Sequence, residues 1–129
     1  MTDPISQMII TIKNATRAEH KTVTLPYSKL KHAISVCLVK HGYLKEASKK
    51  TESNKPILVL DIAYEGNIPR LNDIKRISKQ SKRVYFGVKD IRSVKNGLGM
   101  TVFSTPKGIL TDKEARKEMV GGEALFKLW

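Results

Sequence analysis

The sequence is short of acidic residues. It contains 12 Asp and Glu residues against 24 Lys and Arg residues, so its formal net charge at pH 7 is +12. Such a surplus of positive charge repels itself in a folded chain, and a polyanionic partner is the natural explanation. Nucleic acid, an acidic lipid surface and an acidic protein would all satisfy the charge.

Cysteine and long apolar runs are also scarce. The one cysteine, Cys37, excludes an internal disulfide and lies among apolar residues at helical spacing, which indicates a small buried residue in a reducing compartment. No apolar run approaches the length that spans a bilayer, and the N-terminus has no signal-peptide pattern. We therefore expect a cytoplasmic protein, and an organellar chain that has lost its transit peptide fits as well.

Residue sets for metal binding or catalysis are missing too. His32 and His41 fall on opposite faces of one predicted helix, and the sequence has no Cys pair, no His-x-x-x-His and no phosphate-binding Gly-x-x-x-x-Gly-Lys motif. Ser104 and Lys107 could be imagined as a nucleophile and its base, but a Ser and a Lys in one loop are usually surface residues. We expect no enzyme activity, no metal and no cofactor, and a hydrolase that uses Ser104 is the catalytic alternative.

The first half of the chain has the patterns of two amphipathic helices and a hairpin. Pro4, after the N-cap candidate Asp3, opens an apolar stripe with helical spacing. A second stripe begins after Ser28, a typical N-cap residue, and ends at Gly42. Its apolar positions are Leu30, Ile34, Cys37, Leu38 and His41. A strand is expected at 22–25, and two hairpin strands are expected at 43–47 and 57–64, joined by a polar loop at 48–56.

The second half follows a turn signal at residues 65–67 and alternates short elements, mostly strands, with turns. Thr111 and Glu114 have capping-box spacing, which predicts a helix to about Val120 that Gly121 and Gly122 end. The other expected elements are segments at 71–78, 83–87, 100–104 and 123–129, and a short helix at 90–96 closed by Gly97. The pattern is that of an α+β fold, with two small α+β subdomains sharing an interface, at residues 1–67 and, strand-rich, at 68–129.

Positive charge is concentrated between Arg70 and Lys107, where only Asp73 and Asp90 are acidic. Period-two alternation puts Arg83 and Tyr85 on one face, and a cation beside an aromatic ring suits a sugar-phosphate backbone with a neighbouring base. Packing of the Tyr85 ring against the stem of Arg83 explains the same pattern equally well.

Three further segments have two interpretations each. The basic residues at 48–55 fit a solvated turn better than a binding site. The first helix could lie on a membrane, but its narrow stripe without an aromatic anchor favours core packing. Residues 104–108, Ser-Thr-Pro-Lys-Gly, offer two hydroxyls, a cation and a flexible glycine directly after a strand. They suit hydrogen bonds to phosphates and 2′-hydroxyls, and they equally suit a tight turn.

Motifs are spread over the whole chain. Near the C-terminus they are Gly97-Leu98-Gly99, residues 104–112 (STPKGILTD), Ala115-Arg116 and Gly121-Gly122-Glu123. Near the N-terminus they are Asp3-Pro4-Ile5, Met8, Ile12, Asn14-Ala15 and Pro26-x-Ser28-Lys29-Leu30-Lys31. In kind and order they resemble those of bacterial ribosomal protein S8, the family of the eighth protein of the small ribosomal subunit.

The resemblance implies direct binding to the central domain of small-subunit ribosomal RNA, support of its folding and of subunit assembly, and neighbouring small-subunit proteins as partners. Some family members also bind the messenger of their own operon, and that regulatory role stays open here. The Ser-Thr-Ser-x-Gly contact loop of the family corresponds to residues 104–108. With Arg83, the expected RNA-binding residues are Ser104, Thr105, Pro106, Lys107, Gly108, Tyr85, Gly121, Gly122, Glu123, Asn14, Ser28, Lys29 and Lys31.

The sequence departs from the family pattern in two places. Pro106 stands where the family usually has a second serine, which removes one hydroxyl and one backbone N–H from the contact loop. Lys79-Gln80-Ser81 stands where relatives tend to have a basic residue followed by Pro-Gly, so a differently formed turn is expected there.

Overall fold

The computed structural model describes residues 4–79, 81–92 and 99–129. The predicted N-cap Asp3, the central residue of the 79–81 turn and most of the predicted helix at 90–96 with its closing Gly97 lie outside these residues. The α+β class is confirmed, because helices and antiparallel sheets both occur. The chain forms two compact units, residues 4–71 and 72–129. No described helix has the length and apolar character needed to cross a membrane.

The first unit contains a three-stranded antiparallel sheet with the order β1-β3-β2. In the pairing of β1 with β3, Val23 lies opposite Leu60 and Leu25 lies opposite Leu58. These four side chains are buried and therefore form the core face of the sheet. The elements of this unit are α1 (Pro4–Arg17), β1 (Thr22–Pro26), α2 (Lys29–Lys40), β2 (Leu44–Glu52), β3 (Lys55–Ile62), β4 (Tyr64–Glu65) and β5 (Ile68–Pro69).

Both helices of the first unit begin where the sequence predicts. The Ser28 side chain accepts a hydrogen bond from the Lys31 backbone N–H at 3.1 Å, and Gly42 adopts a φ of +85° just after α2. The assignment of Leu30 to the buried stripe is wrong, since its side chain is 42% exposed. The buried face of α2 instead includes Lys31, Ile34, Ser35 and Leu38, spaced at i, i+3, i+4 and i+7, and Leu30 falls outside it.

The predicted polar loop at 48–56 is also wrong. β2 continues to Glu52 and β3 begins at Lys55, so only Ser53 and Asn54 form the turn. Both turn residues have positive φ values, 51° and 64°, as the tight turn of a two-residue hairpin requires. The added strand residues are mostly exposed, so they lack the apolar alternation by which strands are recognised in a sequence.

The second unit contains a five-stranded antiparallel sheet. Its order is β6-β10-β8-β9, and β7 pairs with β10 on the same edge as β6. Phe103, Ala115, Ala124 and Ile91 form a buried cluster of this unit. The elements are β6 (Ile74–Arg76), β7 (Tyr85–Phe86), a 3-10 turn (Val88–Asp90), β8 (Met100–Thr105), β9 (Gly108–Thr111), α3 (Asp112–Lys117) and β10 (Gly122–Leu128).

The predicted capping box at the start of α3 is confirmed. The Thr111 side chain accepts a hydrogen bond from the Glu114 backbone, and the Glu114 carboxylate accepts one from the Thr111 backbone. The helix nevertheless ends at Lys117 rather than near Val120. It ends early because Met119 adopts a left-handed conformation, with φ +58°.

Candidate nucleic-acid interface

The central strand of the second sheet aligns three of the predicted contact residues. Glu123 of β10 lies opposite Tyr85 of β7 on one side and opposite Ser104 of β8 on the other. Side chains at directly opposed positions of antiparallel strands share one face of the sheet. Tyr85, Glu123 and Ser104 therefore form a row across three strands, and the Tyr85 ring is 68% exposed. We call this row, together with Arg83 and residues 105–108, the sheet-end surface.

Gly121 and Gly122 are needed for the close approach of neighbouring strands. A Cβ atom on Gly122 would overlap the backbone carbonyl of Ser104, and one on Gly121 would overlap the carbonyl of Phe86. The sequence interpretation of these glycines as the end of α3 is wrong, because the helix ends before them. Their function in the fold is to let β10 lie between β7 and β8 at the sheet-end surface.

Thr105 closes the turn between β8 and β9. Its hydroxyl donates a hydrogen bond to the Gly108 carbonyl at 2.8 Å and accepts one from the Lys107 N–H at 3.1 Å. Gly108 has a φ of +110°, a conformation that favours glycine. Residues 106–107 are thus the exposed tip of a tight hairpin. The hydroxyl proton of Thr105 is donated within this hairpin, to the Gly108 carbonyl. Among the described residues, the neighbouring Ser104 hydroxyl has no hydrogen-bond partner.

The two cations predicted at this surface are both ion-paired. Lys107 Nζ lies 3.3 Å from a carboxylate oxygen of Glu118, and an Arg83 guanidinium nitrogen lies 3.1 Å from Glu123 Oε2. Lys107 therefore contacts a carboxylate, and no hydrogen bond between its ammonium and Ser104 is among the contacts of the described residues. The Lys107–Glu118 pair is exposed on both sides and stabilises the fold weakly, so a phosphate can compete for Lys107. The Glu123 side chain is only 17% exposed, while its partner Arg83 is 45% exposed.

Ser78 is a buried part of this arrangement that sequence reasoning missed. Its side chain is 0% exposed, and its hydroxyl donates to Glu123 Oε2 at 2.5 Å and accepts from the Val84 N–H at 3.2 Å. The hydroxyl therefore joins the end of the β6 segment to the start of the β7 segment and to β10. No local pattern indicates this role, because Glu123 lies 45 residues away in sequence.

The predicted contact residues of the first unit differ in exposure. Asn14 is exposed on α1, and Lys29 is exposed on the first turn of α2. The Ser28 hydroxyl oxygen is engaged as the cap of α2. Lys31 is only 8% exposed, and its ammonium donates to the Pro26 carbonyl at 3.4 Å. Of these four side chains, Asn14 and Lys29 are the ones most open to a ligand.

Tyr64 has a raised pKa in the first unit. Burial raises it first, and the nearby carboxylate of Glu19 raises it further. The phenol donates a hydrogen bond of 2.6 Å to the His20 carbonyl. The phenol is protonated at neutral pH, and through its hydrogen bond to the His20 carbonyl Tyr64 ties the β4–β5 hairpin to the segment before β1.

Comparisons with known proteins agree with the motifs. The family described as ribosomal protein S8 matches residues 3–129 of the chain. The small ribosomal subunit protein uS8 of Chlorobium limicola is 45% identical over 130 residues, which covers 100% of this chain and 98% of that protein. The proteins of the same name from Mycoplasmopsis agalactiae and Dictyoglomus thermophilum are 44% and 41% identical over 129 residues, with the same coverage. The chain therefore belongs to the ribosomal protein S8 family.

Proposed function

We propose that this chain is a structural protein of the small ribosomal subunit that binds the central domain of small-subunit ribosomal RNA directly and supports its folding during assembly. Its relatives are named as small-subunit proteins, and its net charge of +12 suits a polyanion. The observation that carries the proposal is the alignment of an exposed Tyr85 ring with Glu123 and with the Ser104 hydroxyl, which has no hydrogen-bond partner within the described part of the chain.

The surface offers complementary contacts to an RNA strand. The exposed Tyr85 ring can stack on an unpaired base, and the Ser104 hydroxyl can bond a 2′-hydroxyl or a phosphate oxygen. Glu123, which lies opposite Tyr85, also holds the Arg83 guanidinium, so the cation is ordered before the RNA arrives. These contacts recognise the shape and the sugar-phosphate backbone of the RNA rather than the edges of successive bases. Such recognition is expected for a protein that binds an irregular RNA helix.

The β8–β9 turn contributes by being ordered in advance. Two hydrogen bonds of the Thr105 hydroxyl and the fixed φ of Pro106 hold the exposed tip. Little conformational entropy is then lost when the tip contacts RNA, which raises affinity. In this proposal Thr105 orders the loop, while Lys107 and the backbone of Gly108 make the contact.

The first unit is proposed to add contacts through Asn14 and Lys29. Both side chains are exposed, whereas Ser28 and Lys31 bond to the backbone near the start of α2. We assign Ser28 and Lys31 the task of holding the first turn of α2 in place for Lys29. Neighbouring small-subunit proteins are the further partners proposed, and the role is binding and not catalysis.

Replacing Tyr85 with alanine tests the proposal. Because the ring is largely exposed, thermal stability should stay within about 0.5 kcal/mol, while affinity for a central-domain RNA fragment should fall by roughly 1–3 kcal/mol from lost stacking. Titration of a labelled fragment measures the loss, and thermal melting of the same preparation measures stability.

Ile68→Ala is the matched control, since Ile68 is a similarly exposed apolar residue of the first unit that the proposal leaves uninvolved. Its RNA affinity should equal that of the unmodified chain. If Tyr85→Ala binds RNA as tightly as Ile68→Ala does, then Tyr85 does not contact RNA, and the proposed row of contacts is wrong.

A further inference from the structure

Positive charge near the sheet-end surface is not distributed as the sequence suggests. Lys107 and Arg83, the two predicted contact cations there, are each neutralised by a carboxylate, Glu118 and Glu123 respectively. Attraction of a polyanion depends on cations whose charge is not already compensated nearby. Exposed cations without a carboxylate partner are therefore the ones that can attract an RNA backbone most strongly.

Lys79 and Lys82 meet this condition. They are paired in an isolated antiparallel bridge, in which the Lys79 N–H donates to the Lys82 carbonyl at 2.9 Å and the Lys82 N–H donates to the Lys79 carbonyl at 3.0 Å. Residues paired in this way have their side chains on the same side, close together. Both side chains are exposed, and neither has an ion pair within the residues that the structure describes.

Two ammonium groups in directly opposed positions repel each other and disfavour the fold. The two lysines nevertheless form this bridge, and both side chains are exposed to solvent. An anion placed between the two groups removes the repulsion and gains two charge-assisted hydrogen bonds. A phosphate group has the charge and the several acceptor oxygens that such a pair of donors needs.

The pair is also held next to the sheet-end surface. Ser78 precedes Lys79, and its buried hydroxyl is bonded to the Glu123 carboxylate. Arg83 follows Lys82, and its guanidinium contacts the same carboxylate. Both ends of the turn are thus attached to Glu123, the central residue of the Tyr85, Glu123 and Ser104 row.

We propose that Lys79 and Lys82 form a two-cation site for backbone phosphate of the RNA that contacts the sheet-end surface. The proposal rests on the proposed RNA binding and adds to it a pair of residues that the motif resemblance did not assign. The backbone bridge places the two lysine side chains next to each other, and the bonds of Ser78 and Arg83 to Glu123 set the distance of the phosphate from the stacking ring of Tyr85.

The test compares Lys79→Gln, Lys82→Gln and the double variant with Lys75→Gln. Lys75 on β6 lies directly opposite Lys127 of β10, so its replacement removes the same charge and relieves a similar lysine repulsion away from the proposed site. Affinity for a central-domain RNA fragment is measured from about 50 to 200 mM salt, the range over which phosphate contacts change affinity steeply. Thermal melting on each preparation reports folding.

Each single replacement in the turn should lower the slope of log affinity against log salt by about 0.7–0.9 and weaken binding roughly tenfold at low salt. Melting temperatures should stay equal or rise, because repulsion is relieved. Lys75→Gln should leave the slope nearly unchanged. If a Gln variant in the turn melts at a lower temperature, the variant with both Lys79→Arg and Lys82→Arg separates the loss of charge from the loss of stability. It keeps both charges and should bind RNA as tightly as the unmodified chain.

Equal slopes for the turn variants and Lys75→Gln would overturn the site while leaving the proposed RNA binding intact. RNA affinity of the unmodified chain that does not change with salt would contradict the proposed function itself. Poly-glutamate supplies the remaining comparison. Poly-glutamate could bind the unmodified chain as tightly as the RNA does and lose as much affinity for the double variant. In that case the lysine pair binds an acidic protein segment, and the phosphate proposal is overturned.

Discussion

Replacing Thr105 with valine removes the hydroxyl that closes the β8–β9 turn and keeps the branched shape of the side chain. Two hydrogen bonds are lost, at 2.8 Å to the Gly108 carbonyl and at 3.1 Å from the Lys107 N–H. Exposed neutral hydrogen bonds contribute at the low end of about 0.5–1.5 kcal/mol each, because water replaces them. We therefore expect a loss of about 1 kcal/mol in the free energy of unfolding, or about 3–5 °C in melting temperature.

RNA affinity should fall by a similar amount. The loosened turn must be ordered again on binding, and each immobilised side chain costs about 0.5–1.5 kcal/mol. Affinity for the central-domain fragment is then expected to drop about fivefold. Thr105→Ser keeps the hydroxyl and should restore both values. Thr24→Val, at an exposed position of β1, provides the same chemical change without a turn to disturb.

Two results would refute this reasoning. If Thr105→Val melts like the unmodified chain and binds RNA as tightly, the two hydrogen bonds do not order the turn. If melting is unchanged while affinity falls a hundredfold, the hydroxyl contacts RNA directly, as the sequence alone suggested, and the bond to Gly108 is exchanged on binding.

Two further predictions concern the carboxylates of this region. Ser78→Ala should lower the free energy of unfolding by about 1–3 kcal/mol, because the Val84 N–H and the Glu123 carboxylate both lose the Ser78 hydroxyl as a partner. Its RNA affinity should fall more than that of a control variant with the same melting temperature. Glu118→Gln should free Lys107 and tighten RNA binding about twofold to fivefold at low salt, with a stability change below about 1 kcal/mol. Glu65→Gln, which breaks the exposed pair with Arg70, is the charge-matched control, and an equal gain there would show that net charge alone is responsible.

Features determined by neighbouring residues could be predicted from the sequence. The Ser28 cap and the capping box of Thr111 and Glu114 depend on side chains three residues apart, and both form as expected. The motif resemblance likewise led to the family, which the comparisons confirm. The α+β class followed from the mixture of helical and period-two patterns.

Features determined by distant partners could not be predicted. The extension of β2 depends on pairing with β3 through exposed polar residues, which carry no periodic signal. Gly121 and Gly122 resemble a helix end in the sequence. Both positions require glycine because a Cβ atom would overlap the carbonyl of Phe86 at residue 121 and that of Ser104 at residue 122. The occupied hydroxyl of Thr105 and the ion pair of Lys107 are equally invisible without the turn geometry. The predicted RNA contacts remain predictions, now with a described surface on which to test them.

Direct binding of the central domain is the central claim, and one titration tests it. The unmodified chain is added to a central-domain fragment of small-subunit ribosomal RNA from its own organism and, separately, to a regular RNA duplex of equal length at the same salt. We predict that the fragment binds at least about a hundredfold more tightly than the duplex, because an irregular helix offers unstacked bases and a shape that a regular duplex lacks. Equal affinity for the two RNAs would contradict the account, since charge alone would then explain the binding.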